Sequence, residues 1–264
     1  MSDHPEAARR VRAYAHRGGT EVAPENTMAS FAHAWSLGYV DLETDVRATR
    51  DGVAVVMHDA TLDRTTDRSG TIRDMTWADV ARARVGGTEG VPRLDDLLAA
   101  FPLARVNLDV KESAAIAPLA DAVRRAGAER RVCITSFSRS RLRAARRCLP
   151  VGVATAAHPP EVLRAMLLVR AGRPVTFGPG VRLQVPLRVL GEPGRLRTDL
   201  LSAARAAGIP VDVWTVNDRP TMETLLDRGV DGIMTDRPVL LREVLLERGR
   251  WDPQRTSAEK QDPA

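Results

Sequence analysis

Apolar residues along this chain fall into short runs of strand type and longer stretches with the three-to-four-residue spacing of helices. The first segments are a strand at 11–15, a helix at 26–37 that ends at Gly38, and strands at 40–46 and 53–57. Helices and strands then alternate without interruption. The later predicted helices cover 94–101, 114–126, 139–148, 161–170, 196–207, 221–228 and 239–248, and the later strands cover 104–110, 132–135, 151–155, 175–177, 182–185, 211–216 and 232–234.

About eight strands that alternate with helices over roughly 250 residues predict an α/β fold, a closed (β/α)8 barrel of the TIM type. A doubly wound open sheet is the alternative, but no G-x-G-x-x-G motif follows the first strand. We expect one domain over 11–248. A polar segment at 60–92, with a short helical piece, is expected to be a loop insertion within it, and 1–10 and 249–264 are expected to be flexible tails.

Composition is that of one large globular domain, with 264 residues of which 44% are hydrophobic and 28% charged. The net charge of +5 comes from arginines at helical spacing with few aromatics, which favours solvated helix faces over a nucleic-acid interface. Cys133 and Cys148 lie in apolar segments and are predicted to be buried, reduced thiols. Without a signal-peptide core or a transmembrane-length window, we expect a cytoplasmic protein with no stable membrane anchor. Its oligomeric state is left open.

Four ionisable residues stand at or near the ends of the first predicted strands, namely His16, Glu43, Asp45 and His58. Side chains two residues apart on a strand share a face, so Glu43 and Asp45 repel each other unless a cation or a proton lies between them. In a barrel, strand ends gather at one mouth. Two carboxylates beside two histidines, the side chains best suited to exchange protons near neutral pH, indicate metal-assisted hydrolysis.

A third strand adds a carboxylate and an ammonium to this mouth. Asp109 and Lys111 share a face of the 104–110 strand, and a cation shared with the first carboxylate pair would give Asp109 a partner. Of 39 basic residues only Lys111 and Lys260 are lysine, and Lys260 lies in the predicted tail. Unless Lys111 is a chance lysine, its compact charge indicates a contact with phosphate oxygens or with the carboxylates.

Several short motifs follow one another in a fixed order between residues 14 and 245. They are H-R-G at 16–18, P-E-N-T at 24–27, G-Y-V-D-L-E-T-D-V at 38–46, D-G-V-A-V-V-M-H-D at 51–59, T-L-D-R-T-T at 61–66, P-R-L at 92–94, S-F at 136–137, V-W-T-V-N at 213–217 and G-I-M-T-D-R-P at 232–238. In this order and spacing the chain resembles the glycerophosphodiester phosphodiesterases, a family of metal-dependent TIM barrels.

The resemblance implies a role for each candidate residue. It implies a general acid/base pair, His16 and His58; three ligands of a divalent cation, Glu43, Asp45 and Asp109; phosphate contacts from Arg17 and Lys111; and a wall on the glycerol or leaving-group side, Trp214. Ligands that are all oxygen favour Mg²⁺ or Ca²⁺ over zinc. The family usually has glutamate where this chain has Asp109, so that arm is one methylene shorter, and it often has Ala-Asp in place of Tyr39-Val40.

Three classes of function remain open on the sequence. The resemblance favours a hydrolase that releases sn-glycerol 3-phosphate and an alcohol from small glycerophosphodiesters, with either a glycerol hydroxyl or water as the nucleophile. A lipid phosphodiesterase of the lysophospholipase D type would use the same site with a more apolar mouth, but the short insertion favours the smaller substrate. A binding protein would not need two histidines facing three carboxylates. Two histidines and a lysine also argue against a glycosidase. Trp214 alone fits a core position equally well.

Overall fold

The computed structural model describes residues 11–150, 152–171, 173–175, 177, 181–191 and 198–251. Its strands are β1 (Arg12–His16), β2 (Asp41–Ala48), β3 (Ala54–Val56), β4 (Arg84–Val85), β5 (Glu89–Gly90), β6 (Arg105–Val110), β7 (Val132–Thr135), β8 (Ala154–Ala156), β9 (Val181–Pro186), β10 (Val211–Trp214) and β11 (Gly232–Thr235). Its α-helices are α1 (Met28–Ser36), α2 (Trp77–Val80), α3 (Leu94–Ala100), α4 (Ile116–Arg125), α5 (Arg139–Cys148), α6 (Pro159–Arg170), α7 (Leu187–Leu190), α8 (Thr198–Ala206), α9 (Arg219–Asp227) and α10 (Pro238–Glu247). Short 3₁₀ turns lie at Ile72–Asp74 and Ser113–Ala115.

Eight of these strands form a closed parallel barrel in the order β1-β2-β6-β7-β8-β9-β10-β11, and β11 returns to pair with β1. The closing register sets Ala13 opposite Ile233, and on its other side β1 sets His16 opposite Glu43. An open doubly wound sheet would leave β1 or β11 at an edge. The predicted (β/α)8 barrel is therefore confirmed.

The predicted strand at 53–57 exists as β3, but it is not one of the barrel strands. It pairs antiparallel with the end of β2, with Val56 opposite Val46, because the chain turns back tightly after Thr49. Gly52 occupies the left-handed region of this turn, with φ of +80°. The hairpin carries His58 back toward the ends of the barrel strands.

Residues 60–92 are more ordered than a plain loop insertion. They contain α2, a 3₁₀ turn and the small β4–β5 sheet, and they build a separate apolar cluster on the outer side of β3. The buried members of this cluster are Val55, Met57, Leu62, Ile72, Val80, Ala83, Val85 and Val91. The sequence did not reveal this cluster, because the segment is largely polar and its apolar residues are spaced irregularly.

Several smaller expectations differ from the structure or lie outside it. Val175 and Phe177 belong to no strand, because β9 already fills that place in the barrel, and 176 is not among the described residues. The expected tail at 1–10 and residues 252–264 of the expected tail at 249–264 also lie outside those residues. Residues 249–251 are described, and the Trp251 ring packs edge to face against Tyr39, with ring centroids 5.1 Å apart. Both cysteines are free. Cys133 on β7 is partly buried and Cys148 at the end of α5 is exposed, which corrects the expectation that both thiols are buried. No helix in the described ranges combines the length and apolarity needed to cross a bilayer.

Ion pairs fill the amino-terminal end of the barrel. Arg182 on β9 donates two hydrogen bonds, of 2.7 and 2.5 Å, to Asp212 on β10, which has no exposed surface, and Tyr14 donates a third at 3.3 Å. Arg105 forms a similar two-bond pair with buried Asp41, at 2.7 and 2.6 Å. A carboxylate is stable in a buried position only when hydrogen-bond donors such as these replace its water. The two ion pairs therefore stabilise the amino-terminal end of the barrel.

Replacing Asp212 by alanine is expected to lower the free energy of unfolding by about 3 to 5 kcal/mol, because Arg182 would keep its charge in a buried place without a counterion. Urea unfolding followed by circular dichroism measures the change. The control is Asp121→Ala, which removes an exposed ion pair with Arg124 and is expected to cost less than about 1 kcal/mol. Equal losses in the two variants would contradict the stabilising role of the barrel ion pairs.

Candidate active site

A cavity of about 420 Å³ opens at the carboxyl ends of the barrel strands. All eight residues singled out from the sequence line it: His16, Arg17, Glu43, Asp45, His58, Asp109, Lys111 and Trp214. They arrive from β1, β2, β6, β10 and the hairpin after β2, segments that are up to about 200 residues apart in the chain. Parallel closure of the barrel is what brings them to one place.

The turn after β1 fixes the first part of the site. Arg17 adopts a left-handed conformation with φ of 52°, which aims its backbone N–H at Glu43 Oε2 at 3.1 Å. Gly18 follows with φ of 82°, and a Cβ there would stand 2.9 Å from the backbone nitrogen of Phe31. Only glycine allows this close approach to α1, so the H-R-G sequence sets where His16 and Arg17 point.

The residues before α1 support the carboxylates from the side. Asn26 donates from Nδ2 to Asp45 Oδ2 at 3.0 Å, and its Oδ1 accepts a hydrogen bond from Thr44 at 2.8 Å. Glu25 accepts a 3.0 Å hydrogen bond from Arg17 Nη1. The P-E-N-T motif therefore orients one predicted metal ligand and one predicted phosphate contact, and neither of these functions was assigned to it from the sequence.

Lys111 bridges two of the three predicted metal ligands. Its Nζ lies 2.7 Å from Asp45 Oδ1 and 2.6 Å from Asp109 Oδ2, and Arg17 Nε lies 3.1 Å from Asp45 Oδ2. Burial works to raise the pKa of Asp45, but the Lys111 and Arg17 cations outweigh it and hold that pKa below its usual range. At Asp109, burial outweighs the opposing effect of the Lys111 cation, and the pKa of this carboxyl is raised.

Glu43 is the carboxylate with the least compensation. Burial raises its pKa to about 7, and the nearby Asp45 and Asp109 carboxylates add to that rise against the opposing effect of His16. Asp109 Oδ1 is also buried without a hydrogen-bond partner. This surplus of buried negative charge and unsatisfied oxygen suits a hard divalent cation in its chemistry.

The carboxylates are nevertheless not arranged around a metal position. Among the described residues, no group of three His, Cys, Asp or Glu side chains could hold a metal ion as it stands. Lys111 occupies the space between Asp45 and Asp109, while Glu43 turns toward the Arg17 backbone. A cation would therefore compete with Lys111 for the two aspartates.

His16 is held in one orientation by a carboxylate directly after the last strand. Its Nδ1 lies 2.6 Å from Asp236 Oδ1, and Asn217 Nδ2 donates to the other oxygen of Asp236 at 2.7 Å. A carboxylate only accepts, so Nδ1 carries the proton and Nε2, which lies 3.7 Å from Glu43, is the nitrogen that titrates. Burial lowers the pKa of His16, but Glu43 and Asp236 together outweigh burial and raise it.

His58 is held in the same way by its own neighbour in the chain. Its Nδ1 lies 2.6 Å from Asp59 Oδ1, and Arg64 Nε donates to Asp59 Oδ2 at 2.5 Å. The Arg64 hydrogen bond is the main reason that the pKa of Asp59 falls to about 2, which keeps this carboxylate ionised. Arg47 fixes the His58 backbone by donating two hydrogen bonds to its carbonyl, at 2.9 and 2.7 Å. Each histidine thus has its Nδ1 occupied by a carboxylate.

The sequence of this chain also matches a family of known proteins. The family model described as the glycerophosphoryl diester phosphodiesterase family matches residues 16–240. The chain belongs to this family.

Three curated relatives have well-matched lengths. A Mycobacterium tuberculosis protein named "Probable glycerophosphodiester phosphodiesterase 2" is 42% identical, over 91% of this chain and 92% of its own. A glycerophosphodiester phosphodiesterase of Caldanaerobacter subterraneus is 30% identical, over 89% and 98%. A human lysophospholipase D is 27% identical, over 87% and 84%. The crystal structure of a glycerophosphodiester phosphodiesterase from Agrobacterium tumefaciens superposes with a TM-score of 0.72 at 26% identity, over 89% of this chain and 98% of that one.

In this member of the phosphodiesterase family, the residues that orient the histidines were not recognisable from the sequence alone. Asp59, Asn217 and Asp236 lie inside motifs that carried the resemblance, but no role was assigned to them. The available signal was a polar residue directly after a predicted strand, as at Asp236 after β11. The partner of such a residue becomes visible only when the barrel closes and brings β11 beside β1.

The opposite wall of the phosphodiesterase cavity is apolar and aromatic. Trp214 packs edge to face against Phe137, with ring centroids 5.4 Å apart, and Lys111 Nζ lies 5.9 Å from the centroid of the Phe137 ring. Trp214 therefore faces the cavity rather than the barrel core. The wall continues along α6 with Val162, Leu163 and Met166. Charged groups line one side of the site, and the other side is mainly apolar, with Gln184 and Arg188 among its polar members.

Replacing Asp236 by asparagine is expected to lower the pKa of His16, because the carboxylate that stabilises the imidazolium is lost while the shape of the side chain is kept. NMR titration of protein labelled at its histidines measures this pKa. Asp63→Asn, an exposed change in the insertion, serves as the control and leaves the His16 titration unchanged. An unchanged His16 titration in Asp236→Asn would show that the two side chains do not interact in solution.

Proposed function

We propose that this chain hydrolyses glycerophosphodiesters, releasing sn-glycerol 3-phosphate and an alcohol. The observation that carries the proposal is a pair of histidines, His16 and His58, each held at Nδ1 by a carboxylate beside one cavity. Two cations at the same cavity, Arg17 and Lys111, suit a phosphodiester anion. The names of the two bacterial relatives support the same substrate class.

The charge of the site suits a phosphodiester, which resists attack because its anionic oxygens repel a nucleophile. Glu43, Asp45 and Asp109 would hold a divalent cation, Mg²⁺ or Ca²⁺, which when bound neutralises that charge and polarises phosphorus. Lys111 lines the same cavity, and its ammonium is a compact positive charge that can contact phosphate oxygens. Arg17 adds a planar guanidinium on the same side, fixed by Glu25.

The two histidines at the cavity supply the two proton transfers that the hydrolysis needs. One Nε2 removes the proton of the nucleophile, either water or the neighbouring glycerol hydroxyl, and the Nε2 of the other ring protonates the departing alkoxide. Attack by the glycerol hydroxyl gives a cyclic phosphate, which a water molecule then opens to glycerol 3-phosphate. Each transfer contributes roughly 10²–10⁴-fold in rate. Asp236 and Asp59 keep each ring in the tautomer and orientation that this exchange requires.

His16→Ala and His58→Ala are each expected to lower kcat for glycerophosphocholine by at least about 100-fold, because each removes one proton transfer. EDTA is expected to abolish activity, and Mg²⁺ or Ca²⁺ is expected to restore it. The readout is an enzymatic assay of released glycerol 3-phosphate. His33→Ala, which changes a histidine of α1 away from the cavity, is the control. Activity that survives both EDTA and the loss of either cavity histidine would refute the mechanism.

A lysophospholipase D activity is the second candidate, favoured by the apolar wall of the cavity. Phe137 and Leu163 line the cavity and are 55% and 56% exposed, so they offer uncovered apolar surface at its mouth. The name of the human relative agrees with this possibility. This observation weighs against the preference for small substrates drawn from the short insertion alone.

If an acyl chain lies on this wall, Leu163→Ser is expected to lower kcat/KM for lysophosphatidylcholine by about tenfold, the effect of losing roughly one leucine contact. The value for glycerophosphocholine would stay within about twofold. Release of lysophosphatidic acid and of glycerol 3-phosphate is compared by mass spectrometry. Leu103→Ser, a change at an exposed leucine before β6, is the control. Equal effects on both substrates would rule out the acyl-chain contact.

A further inference from the structure

Positive charge is concentrated on one side of the barrel. Residues 130–191, which run from β7 to α7, contain twelve arginines and a single acidic residue, Glu161, although the whole chain carries only +5. The rest of the chain is therefore acidic in sum. The net charge of the whole chain conceals this imbalance, because acidic residues elsewhere offset the arginines of 130–191.

Most of the outward-facing arginines on this side lack a carboxylate partner. Glu161 is already paired with Arg146 at 3.0 Å, and Arg182 is used inside the barrel by Asp212. Within 130–191, the exposed arginines of the described residues that form no ion pair are Arg139, Arg143 and Arg147 on α5, together with Arg130, Arg164, Arg173 and Arg188. The first three follow one another at intervals of four on α5 and so form one stripe.

Exposed apolar side chains lie on the same side. Phe137, Leu163 and Leu167 are 55%, 56% and 58% exposed, and they make up half of the large apolar side chains that the described residues leave uncovered. Leu163 and Leu167 are four residues apart on α6 and share a face. Phe137 and Leu163 also line the mouth of the active-site cavity. Uncovered apolar groups among unpaired cations are typical of an interaction surface.

We propose that this surface, the basic-apolar face formed by Phe137, Arg139, Arg143, Leu163 and Leu167, docks the protein onto an anionic phospholipid bilayer. The cavity mouth would then open toward the lipid headgroups. Unpaired arginines attract anionic headgroups, and apolar side chains enter the boundary between headgroups and acyl chains. Nucleic acid would use the arginines but would gain little from exposed leucines. Docking onto a bilayer is a property separate from the proposed hydrolysis, and vesicle binding measures it without an activity assay.

Flotation of the full chain with phospholipid vesicles tests the proposal. The protein is expected to float with vesicles that contain equal parts of phosphatidylglycerol and phosphatidylcholine, and to remain unbound with phosphatidylcholine alone. Raised salt is expected to weaken the binding, because it screens the arginines. Absence of binding to the anionic vesicles, or equal binding to both kinds, would overturn the proposal whatever the activity of the enzyme.

Paired variants then locate the surface. Arg139→Gln with Arg143→Gln is expected to weaken vesicle binding about tenfold or more, and Leu167→Ser is expected to weaken it severalfold. The matched controls are Arg73→Gln with Arg82→Gln, at side chains 68% and 67% exposed, and Leu246→Ser, at 47%. Controls that lose as much binding as the tested variants would overturn the location of the surface.

Two further measurements distinguish a loss of vesicle binding at this surface from a loss of activity or of folding. None of Arg139, Arg143 and Leu167 lines the cavity, so hydrolysis of soluble glycerophosphocholine is expected to stay unchanged in their variants. Thermal unfolding of each variant checks that its fold is intact. If the chain also binds duplex DNA and Leu167→Ser leaves both DNA and vesicle binding intact, the face is a general polyanion site and the lipid proposal fails.

Discussion

Buried negative charge is the constraint around which the upper end of this barrel is built. Asp45 and Asp109 stand opposite each other in the register of β2 and β6, and Glu43 precedes Asp45 on the same face. Carboxylates this close and this buried require cations. Lys111 and Arg17 supply two, while burial and the neighbouring carboxylates raise the pKa of Glu43 to about 7. The left-handed turn at Arg17 and the side chain of Asn26 both serve to hold these charges in place.

The two histidines have matching supports from different parts of the fold. Asp59 is the next residue after His58, so a local hairpin is enough to join them. Asp236 lies 220 residues from His16 and reaches it only because β11 closes the barrel against β1. Barrel closure therefore shapes the chemistry directly, since it orients one of the two rings. The ion pairs at the other end of the barrel stabilise the same closed arrangement.

The cavity is divided between a charged wall and an apolar wall, and the division continues over the outer surface. The charged wall comes from β1, β2 and β6, while β7, α6 and β10 supply apolar and aromatic groups. Segments that carry the apolar wall are also those with unpaired arginines on the outside. A phosphodiester with an apolar substituent, or a surface that presents such a phosphodiester, can contact both the charged and the apolar groups.

Local pattern was enough to determine much of this protein. Alternating periods of two and of three to four residues placed most strands and helices, and strand-end residues such as His16, Glu43, Asp45 and Asp109 were found because parallel strands end at one mouth. Pairing and solvent exposure depend instead on contacts between distant segments, which periodicity does not encode. The tertiary structure alone therefore decided that β3 lies outside the barrel, that Asp236 orients His16, that Lys111 sits between two aspartates, and that Cys148 faces solvent.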